Sequence, residues 1–274
     1  MDKTQKQFKG FQASFSSGLK TIGKITGITL GAKAIVDFGK AAIKASSDLE
    51  EIQNVTNTVF GNMAKDVDNF SKNLIESYGI GELSAKKYTS YMGAMLKSSG
   101  ISGKAVKEMS ENLTLLTADM ASFYNLGTDE MFQKLMSGMT GATMPLKQLG
   151  INMNVANLEA FALSQGIRKS WQEMSQTEQV MLRYNYLMAV TGDAQGDFAR
   201  NNDTWANSVK ILKEKWQEFL EIVGKGLQEI ILPVVKFLTK VLDLLIKIST
   251  AVEKVVVMIT GKKVDVEPKQ VGIV

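Results

Sequence analysis

The side chains available for chemistry are 28 aspartates and glutamates, 32 lysines and arginines and 6 tyrosines, with no histidine or cysteine in 274 residues. That composition removes thiolate nucleophiles, imidazole bases, disulfides and the usual zinc ligands together. A catalytic reading must therefore rest on carboxylates, lysine, serine or tyrosine. The carboxylates have simpler explanations. Asp129 and Glu130 follow Gly127 at a predicted helix start, where the macrodipole favours acidic residues. Ser47 with Glu50, and Ser175 with Glu178, have the spacing of a capping box, in which hydroxyl and carboxylate satisfy orphan backbone N–H groups reciprocally. There is no phosphate-cradling G-x-x-x-x-G-K-[ST] run and no EF-hand loop. A lone glutamate doing lyase chemistry, with Glu159 or Glu178 as arbitrary choices, ranks well below a non-enzymatic reading. We therefore expect no catalytic, cofactor-binding or metal-binding residues, and no cofactor.

The elements that would position any site read as helices. Apolar content is 45%, and only 3 prolines accompany 23 glycines and 15 methionines, a balance that fits an all-α fold. Glycines at 79, 81, 100, 103, 127, 141, 150, 166 and 192 separate segments with helical periodicity, so the middle reads as helical hairpins. The clearest stripe is Val106, Met109, Leu113, Leu116, Met120 and Phe123, at steps of 3, 4, 3, 4 and 3, which predicts one buried helix face.

The two ends differ in kind. Residues 1–44 carry eight lysines against Asp2 and Asp37, so this stretch is +6 and the rest is −2 of a total of +4. Gly23, Gly27 and Gly31 fall on one face if the segment is helical; close packing of a second helix and a mobile arm are both open. Its lysines fit either a solvated face or contact with phosphates, anionic lipid or an acidic protein surface. No signal-peptide pattern and no charge-free run of about 20 residues is present, which predicts a chain kept in a reducing cytoplasm.

Toward the other end, Trp205, Val209, Leu212, Trp216, Phe219 and Val223 step by 4, 3, 4, 3 and 4. This is a heptad seam, predicted to pack on partner helices with Trp205 and Trp216 as anchors. Val234, Phe237, Val241, Leu244 and Ile248 resume the pattern beyond Pro233, where a kink or break is expected. From Ile230 to Ile259 the chain is apolar but for a narrow stripe including Lys236, Lys240, Asp243 and Lys247. Such a helix must bundle, self-associate or lie on a membrane. The expected divisions are a basic arm over 1–45, a helical core over 46–202, amphipathic coiled-coil-like helices over 203–260, and a polar tail over 261–274.

Between Met144 and Arg200 the order of polar and glycine residues exceeds what periodicity requires. Met144-Pro145-Leu146-Lys147-Gln148-Leu149-Gly150-Ile151, Ala162-Leu163-Ser164-Gln165-Gly166-Ile167, Leu182-Arg183-Tyr184 and Asp193-Ala194-Gln195-Gly196-Asp197-Phe198-Ala199-Arg200 occur in succession. Trp205-Ala206-Asn207, Lys210-Ile211-Leu212 and Ile231-Leu232-Pro233 continue it. This succession resembles the core of tape measure proteins from phages and prophages with long non-contractile tails. The resemblance runs from about residue 46 to residue 240 and departs at Met144, where members often carry an acidic residue. It implies a multicopy helical polymer in the tail lumen that sets tube length during assembly and helps DNA into the host. The implied partners are the tail tube protein, tail assembly chaperones, further copies of the chain, genomic DNA and the host membrane. The implied locations are the virion tail, the host cytoplasm during assembly, and the host membrane on ejection. On that last role, Ile230, Val234, Phe237, Val241, Leu244 and Ile248 are the membrane-facing residues expected. The alternative reading is a membrane-active, pore-forming helical protein acting through residues 227–260.

Overall fold

A computed structural model describes residues 32–260, with side chains described from Asp37 onward except at several positions beyond Glu229. Most of the basic arm, including Gly23, Gly27 and Gly31, and the tail over 261–274 lie outside the described residues. Within them the fold is all-α, with no strand. The helices are α1 (Ala32–Phe60), α2 (Ala64–Ser71), α3 (Ile75–Tyr78), α4 (Glu82–Ser98), α5 (Lys104–Phe123), α6 (Thr128–Thr140), α7 (Met144–Lys147), α8 (Val155–Ser164), α9 (Gln176–Val190), α10 (Asp197–Arg200) and α11 (Trp205–Thr260). Residues 37–225 make one compact body, and the described residues from Gly226 onward belong to a second unit.

In the body, α4, α5 and α6 pack consecutively, joined by short connections that send each helix back along its predecessor. The predicted stripe on α5 is core: Val106, Met109, Leu113, Leu116 and Met120 are all buried. Phe123 is the exception. It ends the helix, stays exposed, and meets Tyr124 edge-on at 5.1 Å between ring centroids.

Buried hydroxyls tie this layer together. Thr56 of α1 lies 2.8 Å from Ser90 of α4, and Thr89 of α4 lies 2.9 Å from Thr114 of α5. Thr56 and Thr114 each donate their single proton to the carbonyl four residues earlier, Ile52 and Ser110, so Ser90 and Thr89 are the donors between helices. Gly93 lets Phe60 and Val59 of α1 press onto α4, where a Cβ would come within 2.6 Å of the Phe60 ring.

Two local expectations are corrected. Ser47 and Glu50 do not start a helix, because α1 runs through them from Ala32 to Phe60. Capping residues mark a start only when the preceding residues are non-helical, and here the alanines and lysines upstream continue the helix. The second concerns Pro233, where a kink or break was expected: α11 does not break there and carries the proline inside a 56-residue helix. One missing N–H removes one backbone bond at a cost of about 3 kcal/mol, and the bonds on either side still hold the helix. The Ser175 and Glu178 box is present as predicted, with the Ser175 N–H donating to Glu178 at 2.6 Å at the start of α9.

Asp119 is the buried acid that locks α10 onto α5. Its carboxylate accepts from the backbone N–H of Gly196 at 2.8 Å and of Phe198 at 3.2 Å. Burial raises the carboxyl above its ordinary range, and these two N–H groups work against that rise. Phe198 is buried against Gly79, which adopts φ +60°; any side chain there would collide with the Phe198 ring. We predict that Asp119→Ala leaves two backbone donors unpartnered and costs about 1–3 kcal/mol. Urea unfolding of the variant against the wild type measures it.

Candidate interaction surface

The first half of α11 is amphipathic in an inverted sense. With the seam at heptad positions a and d, Asn207, Glu214 and Glu221 fall at f, and Lys210, Gln217 and Gly224 at b. In an isolated amphipathic helix that polar face would meet water. Here it meets the body: Asn207 and Glu221 are only 3% and 6% exposed.

Each polar contact has a partner suited to it. Asn207 donates to the Ser122 hydroxyl at 2.8 Å and to the Asn201 carbonyl at 2.9 Å. Lys210 donates to the Ala121 carbonyl at 3.0 Å, in the last turn of α5, where a cation complements the negative end of the helix. Glu214 accepts from the Gly81 N–H and the Ser84 hydroxyl, both at 3.0 Å, at the positive end of α4. Lys215 pairs with Glu76 of α3. Gly224 rests on the Ala42 carbonyl of α1, an approach only glycine allows.

The carboxyls on this face are perturbed. Burial raises Glu214 above the ordinary range, opposed by its two hydrogen bonds from Gly81 and Ser84. Burial above all, with the negative charges of Glu82, Glu218 and Glu214, pushes Glu221 up to about 7 against a hydrogen bond with Gln217.

The apolar seam faces the other way. Trp205, Leu212 and Trp216 are 84%, 68% and 54% exposed, and Val209 and Phe219 are exposed as well. Ile222, beside the seam, is 69% exposed and widens it. Near the far end, Phe38 of α1 leans on the strip, its ring centroid 6.1 Å from those of both Trp216 and Phe219. Val223, the last seam residue, is partly buried. Most of the seam thus lies outside the body's own packing.

In the second unit, Leu244 and Ile248 are exposed, while the side chains of Ile230, Val234, Phe237 and Val241 lie outside the described residues. Among the described residues no helix is long and apolar enough to cross a membrane.

The acids singled out in the sequence have structural partners. Asp129 accepts from Tyr88 at 2.9 Å and Lys87 at 3.1 Å; burial works against it, yet these hydrogen bonds hold its carboxyl below the ordinary range. Glu130 pairs with Lys134 one turn on, and Glu159 accepts the Trp171 N–H at 2.8 Å. Glu178 is held down to about 2 by Lys169 and by the Ser175 cap. No group of acidic residues among those described is arranged to hold a metal ion.

The blocks that carried the family resemblance are packing and turn positions. Leu146 fills the space over Gly138, and Arg183 lays its guanidinium over the Trp171 ring at 4.9 Å while reaching the Met139 carbonyl at 3.4 Å. Arg200 holds the Gln195 and Asp193 carbonyls at 2.9 and 3.1 Å. No protein-family model, curated protein or solved structure matches this chain.

The polar docking face was missed in the sequence, although its signal was there. Asn207, Lys210, Glu214 and Glu221 recur at steps of 3, 4 and 7, but polar residues opposite a seam ordinarily mean solvent. Gly224→Ala should force α11 off α1 and cost about 1–3 kcal/mol. Gly226→Ala, with no atom within 4 Å of the new methyl, should instead be neutral or gain up to about 1 kcal/mol in helix propensity. Thermal unfolding of the two variants side by side reads the difference.

Proposed function

We propose that this chain is a structural, non-enzymatic tail assembly protein of the tape measure kind. The observation that carries the reading is the exposed heptad seam over residues 205–223 of α11, whose opposite, polar face lies on the body. Trp205, Val209, Leu212, Trp216, Phe219 and Ile222 expose large apolar side chains along one strip, and contiguous apolar strips of this kind mark interaction sites. Two such strips laid together would remove each other's apolar side chains from water. A second copy of the same helix supplies the same 4–3 spacing, so self-association into a multicopy bundle accounts for the seam without another protein.

The succession of blocks between Met144 and Pro233 supports the family and, with it, the remaining partners. In this reading the helices line up along the tail lumen while the tube protein assembles around them with the help of tail assembly chaperones. Genomic DNA later follows the same path. Length is then the functional quantity, because an α-helix advances about 1.5 Å per residue. An in-frame deletion of 21 residues between 235 and 255 should shorten virion tails by about 30 Å. Electron microscopy of tails from the deletion series measures it, and unchanged tails would count against the reading.

A second reading has its own observation. Leu232, Leu244, Ile246 and Ile248 are exposed on the later turns of α11, among Lys236, Lys240 and Lys247, as expected of a helix lying at a lipid headgroup boundary. If residues 227–260 act on membranes, the full chain releases dye from anionic vesicles and the Leu244→Glu, Ile248→Glu variant does not. Absence of leakage from the wild type removes this reading and leaves the assembly role standing.

A further inference from the structure

The attachment of α11 to the body uses little apolar surface. On the docked face Leu220 and the Gly224 contact with Ala42 are apolar, and at its edge Phe38 leans on Trp216 and Phe219; the rest is Asn207, Lys210, Glu214, Gln217 and Glu221. Water offers every one of those polar groups an equivalent hydrogen bond, so the hydrophobic effect does little to hold this face down. The segment over 201–204, just before α11, is non-helical and mostly exposed.

Charge on this face is unbalanced. Glu221 forms no ion pair among the described residues. The charged groups acting on it are Glu82 from α4 and Glu214 and Glu218 from its own helix, while α1 presents Ala42 and Ser46 to the neighbouring Gly224. Glu82 is itself bridged to Lys86 at 2.6 Å, and that buried ammonium also serves Asp68 at 3.3 Å. One lysine thus already answers two carboxylates, and an ionised Glu221 adds a third negative group to the same side.

We propose that residues 205–225 form a releasable arm, docked on the body by their polar face while Glu221 is protonated and let go about residues 201–204 as it ionises. The inference rests on the assembly reading for its purpose, since a helix that joins a bundle must be able to leave a compact body. Its mechanism is local to this chain. Docking raises the affinity of Glu221 for a proton, so by linkage the docked state is favoured most below the ordinary glutamate range. That advantage is lost as pH rises through about 7, the docked value. Glu214 works in the same direction, tempered by its place at the positive end of α4.

The full chain can be tested directly, because it has no native cysteine to remove. Spin labels at Ser98→Cys on the body and Ser208→Cys on the arm, both exposed sites, report the separation by pulsed electron resonance. Labelled chain is diluted into unlabelled chain so that only distances within one molecule count. The expected result is one narrow distance at pH 5 and a longer, broader component rising on the order of tenfold by pH 8. With Glu221→Gln added, the narrow distance should persist at both values. Identical distributions at pH 5 and pH 8, or release in the Glu221→Gln chain equal to that of the parent, would overturn the proposal. Should the labelled chain fail to fold, hydrogen exchange of residues 205–225 in the unlabelled chain, corrected for intrinsic rates, gives the same decision. None of these readings needs tails or partners, so a pH-indifferent arm sinks this inference and leaves the tail-length test untouched.

Discussion

The structure turns on the way α11 meets the ends of two other helices. Lys210 reaches the carbonyl end of α5 and Glu214 the amide end of α4, so one helix face supplies a cation and an anion where two macrodipoles call for them. Glu214 satisfies a backbone N–H that the start of α4 leaves open, and Lys210 adds a second donor to the Ala121 carbonyl, which also accepts from the Leu126 N–H. Because the polar face is used inward, the apolar face has nowhere to go but outward. The exposed seam is therefore a consequence of how the helix docks, and a body that closed on its own core would leave no reason for it.

The body owes little to α11. Its core lies among α4, α5 and α6 and is closed by stacked Tyr88 and Phe132, whose centroids are 4.6 Å apart, and by hydroxyl pairs between α1, α4 and α5. Those hydroxyls keep their protons inside the fold, which fixes the helices' register more sharply than apolar packing alone. Asp119 is a buried acid that gathers a distant turn, bringing residues 196–198 onto α5. The outer helix can thus change its surroundings while the body keeps its own.

Much of the architecture was legible in the residues because it followed from local rules. The nine glycines singled out as separators, at 79, 81, 100, 103, 127, 141, 150, 166 and 192, all fall between helices, the α5 stripe is buried up to Met120, and Ser175 caps α9. What escaped was set by tertiary context. Ser47 and Glu50 have the right spacing for a cap, yet upstream helix overrides them. Pro233 is a breaker by intrinsic cost, yet α11 continues through it. The heptad spacing marked the residues of the exposed strip, but not which face of α11 the body takes, because charge matched to helix ends leaves no hydrophobic signature. Asn207, Lys210, Glu214 and Glu221 are recognisable as a docking face only once the ends of α4 and α5 are seen beside them.

The most direct test of the central claim is sedimentation equilibrium of the full chain over a wide concentration range, alongside Leu212→Glu. Leu212 is largely exposed and touches no part of the body's core, so its replacement should leave the fold intact. The account predicts reversible, concentration-dependent association of the wild type and a loss of at least about tenfold in association constant for Leu212→Glu, the scale set by burying one leucine. A chain that stays monomeric throughout, or a variant that associates as well as the wild type, would contradict it.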